Sequence, residues 1–289
     1  MSSIEIPLRQ PFNLAESLAS GQAFRWRRKG RAFTGVVCGH LLTLRQQGDT
    51  LLAASPDLPD DALAALVPSY FRLDDDLSAI YEELRQDPRA WTAIQANWGL
   101  RLLRQDPWEA LATFICSSAS NIPRITRNVA TLCRRYGERV SLNGTAWRAF
   151  PSPGALSDAG ARALWRAGLG YRADYLADTA RSIASGEIDL SALRQADYAS
   201  AKKELLRLPG VGVKVADCAL LFSLEKLNAF PVDRWVLRAV QDWYFEGGHV
   251  TEKQIHQWAE ERFGPHAGYA QQYLFHQRRT EGRGATPTE

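Results

Sequence analysis

The sequence predicts an α+β fold that is mostly α: an N-terminal antiparallel β region followed by a larger all-α region. Three observations predict it. Up to residue 55 the apolar residues fall in short β-type runs separated by turn signals. From residue 60 onward their spacing becomes helical. The length, 289 residues, suggests two units at about 150 residues per domain.

The runs Ala23-Phe24-Arg25-Trp26, Phe33–Val37, Leu41–Leu44 and Thr50–Leu52 read as strands, with turns at Lys29-Gly30, Gly39-His40 and Gly48-Asp49. Links this short cannot house a crossover helix, so an antiparallel meander is expected. Asp60-Asp61 can cap a helix through Leu63, Leu66 and Val67. Further helices are expected around 76–86, 107–118, 121–136, 155–167, 172–186, 197–207, 213–226, 234–244, 251–262 and 266–278, between Pro and Gly breaks. There is no repeat period. The expected division is residues 1–100, β-rich with linking helices; 101–278, helical; and 279–289, a flexible tail.

A content of 45% hydrophobic and 10% aromatic residues excludes a disordered chain. No apolar run approaches the ~20 residues of a membrane span. The start shows no basic stretch followed by an apolar one, so an intracellular location is expected, cytoplasmic in a prokaryote and nuclear in a eukaryote. The formal charge of +3 is unevenly spread: residues 57–87 hold nine acids and two bases, a net of −7, which leaves +10 on the remainder. That asymmetry suits a polyanion-binding surface, with the acidic stretch turned away from it. Cys38, Cys116, Cys133 and Cys218 form no CxxC pair and no zinc or iron–sulfur spacing. They are expected to be reduced thiols, with Cys38 and Cys133 buried.

The segment Leu205-Leu206-Arg207-Leu208-Pro209-Gly210-Val211-Gly212-Val213-Lys214 ends one helix and starts another at once. Gly210 and Gly212 supply the φ > 0 freedom of a tight hairpin. Two glycines at a helix N-terminus let amide groups approach an anion, and a phosphate fits there; an ordinary αα-hairpin is the alternative. A first-turn lysine is ordinarily solvated, but the helix dipole eases access of Lys214 to a neutral amine. Cys218 shares its face at i+4. Asp233, after Phe230-Pro231-Val232, suits the N-cap of the next helix.

Gly-Val-Gly-Val-Lys214, followed by Pro231-Val232-Asp233, resembles the helix–hairpin–helix DNA glycosylase superfamily. Other stretches resemble the 8-oxoguanine DNA glycosylase family in particular: Pro11–Leu14, Ser20–Trp26, Leu102–Pro107, Phe114–Ser118, Asn121–Thr126, Gly168–Ala173, Lys214–Cys218 and Gly268–Gln271. The resemblance covers residues 5–277.

The resemblance implies a bifunctional glycosylase and lyase that flips the oxidised base out of duplex DNA. Lys214 would be the nucleophile, forming a Schiff base, and Asp233 the carboxylate that stabilises the cationic sugar. The Gly21 carbonyl would accept the N7–H that only the oxidised base carries. Gln271 would read the Watson–Crick edge, Phe275 and Cys218 would sandwich the ring, and Pro231 would line the pocket. Arg124 and Arg172 would contact the cytosine opposite the lesion, Tyr171 would wedge into the base stack, Asn121 would meet DNA beside them, and Gly210 and Gly212 would meet the backbone. The carbonyls of Leu206, Leu208 and Val211 would hold a monovalent cation that takes no part in the chemistry. No cofactor and no iron–sulfur cluster is expected. The partner would be double-stranded DNA with 8-oxoguanine opposite cytosine, and the chain a monomer.

Two positions depart from the family pattern. Ala119 stands where the family usually has an Asn that fills the hole left by the flipped base, which puts opposite-base selectivity in question. Trp235 stands where animal members carry a phosphate-touching His. The alternatives are a monofunctional glycosylase for alkylated bases, which would work without Lys214, and a non-enzymatic DNA-binding module.

Overall fold

The computed structural model describes residues 2–142 and 145–284. Strands β1 (Ser2–Pro7), β2 (Arg27–Lys29), β3 (Ala32–Val37), β4 (His40–Gln47) and β5 (Thr50–Ser55) form one antiparallel sheet in the order β1-β5-β4-β3-β2. The expected meander is its centre. β1 closes the β5 edge with only Ile4 and Ile6 as apolar residues, too few to mark a strand beforehand. A short helix α1 (Leu14–Ala19), capped by Asn13, also escaped the β reading.

The expected strand Ala23–Trp26 is a loop. Its alternation has another cause, because successive side chains anchor to different neighbours. Phe24 meets Phe114 edge-on at 5.9 Å, Arg25 pairs with Glu109 at 2.8 Å, and Trp26 Nε1 donates to the Tyr70 hydroxyl at 2.9 Å.

The helices are α2 (Asp60–Tyr70), α3 (Leu77–Leu84), α4 (Pro88–Ala96), α5 (Pro107–Ile115) and α6 (Ile122–Tyr136), then a hairpin of β6 (Arg139–Leu142) and β7 (Thr145–Arg148). After it come α7 (Pro153–Leu164), a π turn, α8 (Arg172–Ala184), α9 (Leu190–Gln195), α10 (Tyr198–Leu205), α11 (Val213–Ser223), α12 (Arg234–Tyr244), α13 (Glu252–Phe263) and α14 (Ala267–Gly284). At α2 the N-cap is Pro59, and Asp60 and Asp61 sit in the first turn, where the helix dipole favours their charge. α14 runs on to Gly284, so residues 279–284, expected in a flexible tail, are helical, and Arg279 is buried. Residues 285–289 of that expected tail lie outside the described residues.

Two apolar cores form. The smaller lies between the sheet and α1 and α2, around Phe12, Leu42, Leu51, Val67 and Phe71. The larger joins the helices from α3 onward and takes in Phe24. α3 and α4 therefore pack with the helical part although they precede residue 101. The side chain of buried Gln22 bridges the two parts, donating to the Ser17 and Arg101 carbonyls and accepting from the Leu103 amide at 2.8 Å.

The acidic stretch is largely spent on internal ties. Asp76 and Asp87 cap α3 and α4, Asp75 accepts from the Tyr269 hydroxyl, and Asp74 pairs with Arg104 at 3.0 Å. All four cysteines are free. Cys116, Cys133 and Cys218 are buried; Cys38, expected inside, is exposed, because it sits at φ 48° in the β3–β4 turn, which directs it outward. No helix among the described residues is long and apolar enough to cross a membrane.

Candidate active site

The hairpin between α10 and α11 is built on one obligatory glycine. Gly210 has φ +76°, and a Cβ there would lie 2.5 Å from the Tyr175 side chain. Gly212 differs from expectation: its backbone is extended, at φ −85° and ψ 178°, and it is the N-cap of α11. Its use is space, since nothing lies within 4 Å of where a Cβ would be. The amides of the first turn are thus open to an approaching anion. In the hairpin, the Leu208 carbonyl accepts the Val211 amide at 3.1 Å, while the Leu206 side chain is exposed.

Lys214 follows in the first turn of α11 and is half-buried. Its Nζ donates to Ser117 Oγ at 2.7 Å and sits 5.3 Å from the centroid of the Phe114 ring. Ser117 in turn donates to the Phe114 carbonyl at 2.6 Å. One helical turn on, Cys218 is buried; burial pushes its thiol up to about 12, with the Lys214 charge pulling the other way. The thiol is therefore a neutral, packing surface at physiological pH.

Asp233 caps α12 as expected, its Oδ1 accepting the amides of Trp235 at 2.9 Å and Val236 at 2.8 Å. Burial raises its carboxyl above the ordinary Asp value, against the Val236 amide bond and the Lys214 charge, which both lower it. The carboxylate therefore lies in the electrostatic field of the lysine.

A second group of residues converges from opposite ends of the chain. Gly21 has φ +83°, and a Cβ there would lie 3.1 Å from Ile122 Cδ1 and 3.3 Å from the Phe275 ring. On α14, buried Gln271 donates from Nε2 to the Pro231 carbonyl at 3.0 Å, and its Oε1 is buried without a partner. That orphan acceptor is costly unless a ligand satisfies it. α14 is fastened to α1 and its C-cap, just before Gly21: Gln272 donates to the Ser20 carbonyl at 3.0 Å, Arg279 to that of Ala19 at 2.7 Å, and His276 meets Glu16 at 2.8 Å.

The residues expected near the opposite strand divide. Arg124 is exposed, and Tyr171 is 51% exposed, its hydroxyl donating to the Ser118 carbonyl at 3.2 Å. Asn121 is exposed but caps α6 by accepting the Arg124 amide at 3.0 Å. Arg172 is 2% exposed, with its guanidinium donating to the Ser118, Ala119 and Leu169 carbonyls. In this conformation it braces the 117–120 turn instead of facing outward. That turn holds Ala119 at φ 45°. The Trp235 ring lies against α14, where a Cβ on Gly282 would come within 2.8 Å of it.

Three contributors were missed in the sequence. Ser117 is an unremarkable serine until its partner is known. Gln272 lies beside Gln271 and carries no signal of its own. Asp217, wholly buried on α11, is held by Lys202 at 2.9 Å, by the Tyr198 hydroxyl at 2.8 Å and by His256 at 2.9 Å. A buried-looking Asp in an apolar helix was the one available clue.

Residues 3–111 match the model for the 8-oxoguanine DNA glycosylase N-terminal domain, and residues 112–265 match that for the HhH-GPD superfamily of base excision DNA repair proteins. The chain is 34% identical to an N-glycosylase/DNA lyase of Arabidopsis thaliana, over 89% of this chain and 74% of that protein. It is 30% identical to the N-glycosylase/DNA lyase of Saccharomyces cerevisiae, over 95% of this chain and 85% of that one. Among solved structures, it resembles the Clostridium acetobutylicum 8-oxoguanine glycosylase/lyase bound to double-stranded DNA with cytosine opposite 8-oxoguanine. That match has a TM-score of 0.90 and 30% identity, covering 96% of this chain and 98% of the other.

Proposed function

The chain belongs to the 8-oxoguanine DNA glycosylase family, and from that premise we propose that it excises 8-oxoguanine from duplex DNA through Lys214 and then nicks the strand. The observation that carries the assignment of the nucleophile is the position of Lys214: first turn of α11, amine on Ser117, in the field of Asp233.

The neutral amine attacks C1′ of the flipped nucleotide. The glycosidic bond breaks, its electron pair leaves with the base, and the base takes up a proton. As cationic character develops on the sugar, the Asp233 carboxylate stabilises it. The amine nitrogen loses a proton, the C1′–O4′ bond breaks with its electron pair on O4′, which is protonated, and a Schiff base forms between Nζ and C1′. Loss of a C2′ proton then expels the 3′ phosphate and cuts the strand.

Base reading follows from the second group of residues. The Gln271 Oε1, buried and unpaired, suits the N1–H and N2–H donors of a guanine-type edge. The Gly21 carbonyl would accept the N7–H of the oxidised base and repel the bare N7 of guanine. The Phe275 ring and the neutral, polarisable Cys218 thiol would sandwich the purine, beside Pro231. Gly210 and Gly212 open the α11 terminus to a phosphate, and the hairpin carbonyls of Leu206, Leu208 and Val211 offer oxygen donors to a monovalent cation there. Arg124, Asn121 and Tyr171 face the duplex around the cytosine opposite the lesion, with Arg172 bracing the turn beneath them.

Borohydride reduction in the presence of 8-oxoguanine duplex should trap a covalent adduct with the wild type and none with Lys214→Gln. A wild type that traps nothing, or excision that survives Lys214→Gln, would refute the assignment.

A further inference from the structure

A cluster around buried Asp217 takes no part in the chemistry above. Asp217 is 0% exposed and sits on α11 between Lys214 and Cys218. It faces Lys202 and Tyr198 from α10 and His256 from α13. Lys202 supplies the countercharge, and the Tyr198 hydroxyl and the His256 ring add two further contacts to the carboxylate.

His256 does more than solvate Asp217. Its Nε2 lies 2.9 Å from Asp217 Oδ2 and 3.1 Å from the Phe230 carbonyl. Both neighbours are acceptors, so Nε2 carries the proton and donates to both. The Phe230 carbonyl opens the segment 230–233, which has no helical or strand hydrogen bonding of its own. One residue later, the Pro231 carbonyl takes the Gln271 amide and so aims its Oε1. Two residues after that comes Asp233. The imidazole thus links α11, which carries Lys214, to the segment that sets both the carboxylate and the base reader.

We propose that His256, held by Asp217, is a positioning residue for base excision: its bond to the Phe230 carbonyl fixes Asp233 and Gln271 relative to Lys214. The inference rests on the function proposed above. Phe230 keeps its place in the core without this bond, because its ring packs against Trp258 and Phe263 at 6.0 and 6.4 Å. What the bond sets is the orientation of the peptide, and with it the path to Asp233. Small displacements of this kind cost catalysis more than binding.

The test is single-turnover excision of 8-oxoguanine by wild type, His256→Leu and His256→Gln. Binding-competent protein is first counted with a duplex carrying a tetrahydrofuran abasic analogue. Leucine removes the donor at similar volume; glutamine places an amide N–H the same number of bonds from the backbone as Nε2. His256→Leu should excise about tenfold or more slowly at saturating enzyme, with unchanged affinity for the abasic analogue, and His256→Gln should recover most of the rate. The inference is overturned if His256→Leu excises at the wild-type rate per competent molecule, or if His256→Gln is no better than His256→Leu. An inactive wild type would instead refute the proposed function.

Discussion

Lys214 Nζ and Ser117 Oγ are 2.7 Å apart, and the serine spends its own proton on the Phe114 carbonyl. Its lone pairs are therefore left for the lysine, which fixes the amine against the Phe114 ring instead of letting it sweep through solvent. Ser117→Ala should lower single-turnover excision about tenfold, while affinity for undamaged duplex stays the same. Equal rates for the two proteins, measured with enzyme in excess, would show that the serine does not orient the nucleophile.

The two hairpin glycines should respond differently to the same change. Gly210→Ala meets both a left-handed φ and the Tyr175 side chain 2.5 Å away. It should destabilise the fold by more than ~1 kcal/mol, read as a lower denaturation midpoint. Gly212→Ala meets no protein atom within 4 Å. It should fold normally and bind DNA more weakly, because the new methyl occupies space that the phosphate approaches. Titrations at several salt concentrations separate the two, since lost phosphate contacts flatten the salt dependence.

Asp233 supplies a pH prediction. Burial raises its folded-state pKa, so the folded protein binds a proton that the unfolded chain releases. Its ionisation therefore costs stability, and the cost sets in as pH rises above the ordinary Asp value and through the raised one. Asp233→Asn keeps an N-cap and removes the charge. It should melt higher than wild type at neutral pH, with the gain shrinking as pH falls through the raised value and gone below the ordinary Asp value. Excision should fall by about 100-fold or more. In the wild type, excision should be lost on the acid side at a higher pH than an ordinary carboxylate would give.

Ala119 holds φ 45°, a conformation Asn adopts more readily than Ala. Ala119→Asn should stabilise the turn, on the order of 0.5–1 kcal/mol, and add an exposed amide at the position proposed to fill the space left by the flipped base. A nicking panel with 8-oxoguanine opposite each of the four bases should show a sharper preference for cytosine than the wild type has. A panel unchanged by the substitution would mean that selectivity is set elsewhere.

Much of this architecture was legible because its signals are local. Glycines, Pro209 and an apolar helix on each side mark the hairpin, and the Pro231-Val232-Asp233 run marks a cap. The sheet centre announced itself by alternation at Phe33–Val37 and Leu41–Leu44. What stayed hidden depends on distant partners. β1 has meaning only beside β5, and the alternation in Ala23–Trp26 comes from three separate anchors. Arg172 illustrates the limit best: its charge suggested an outward contact, but the carbonyls of Ser118 and Ala119, far away in sequence, take its guanidinium. Likewise Gly212 looked like a backbone-freedom glycine, yet its φ is −85° and only the empty space beside it explains its size.

The fastening of α14 to the Ala19-Ser20 carbonyls has a consequence for biosynthesis. The surface proposed to read the base joins Ser20 and Gly21 to residues of α14, as far as 252 positions later in the sequence. During translation the hairpin, Lys214 and Asp233 are complete before Gln271 and Phe275 leave the ribosome. A nascent chain at that stage would thus hold Lys214 without the surface proposed to select its target.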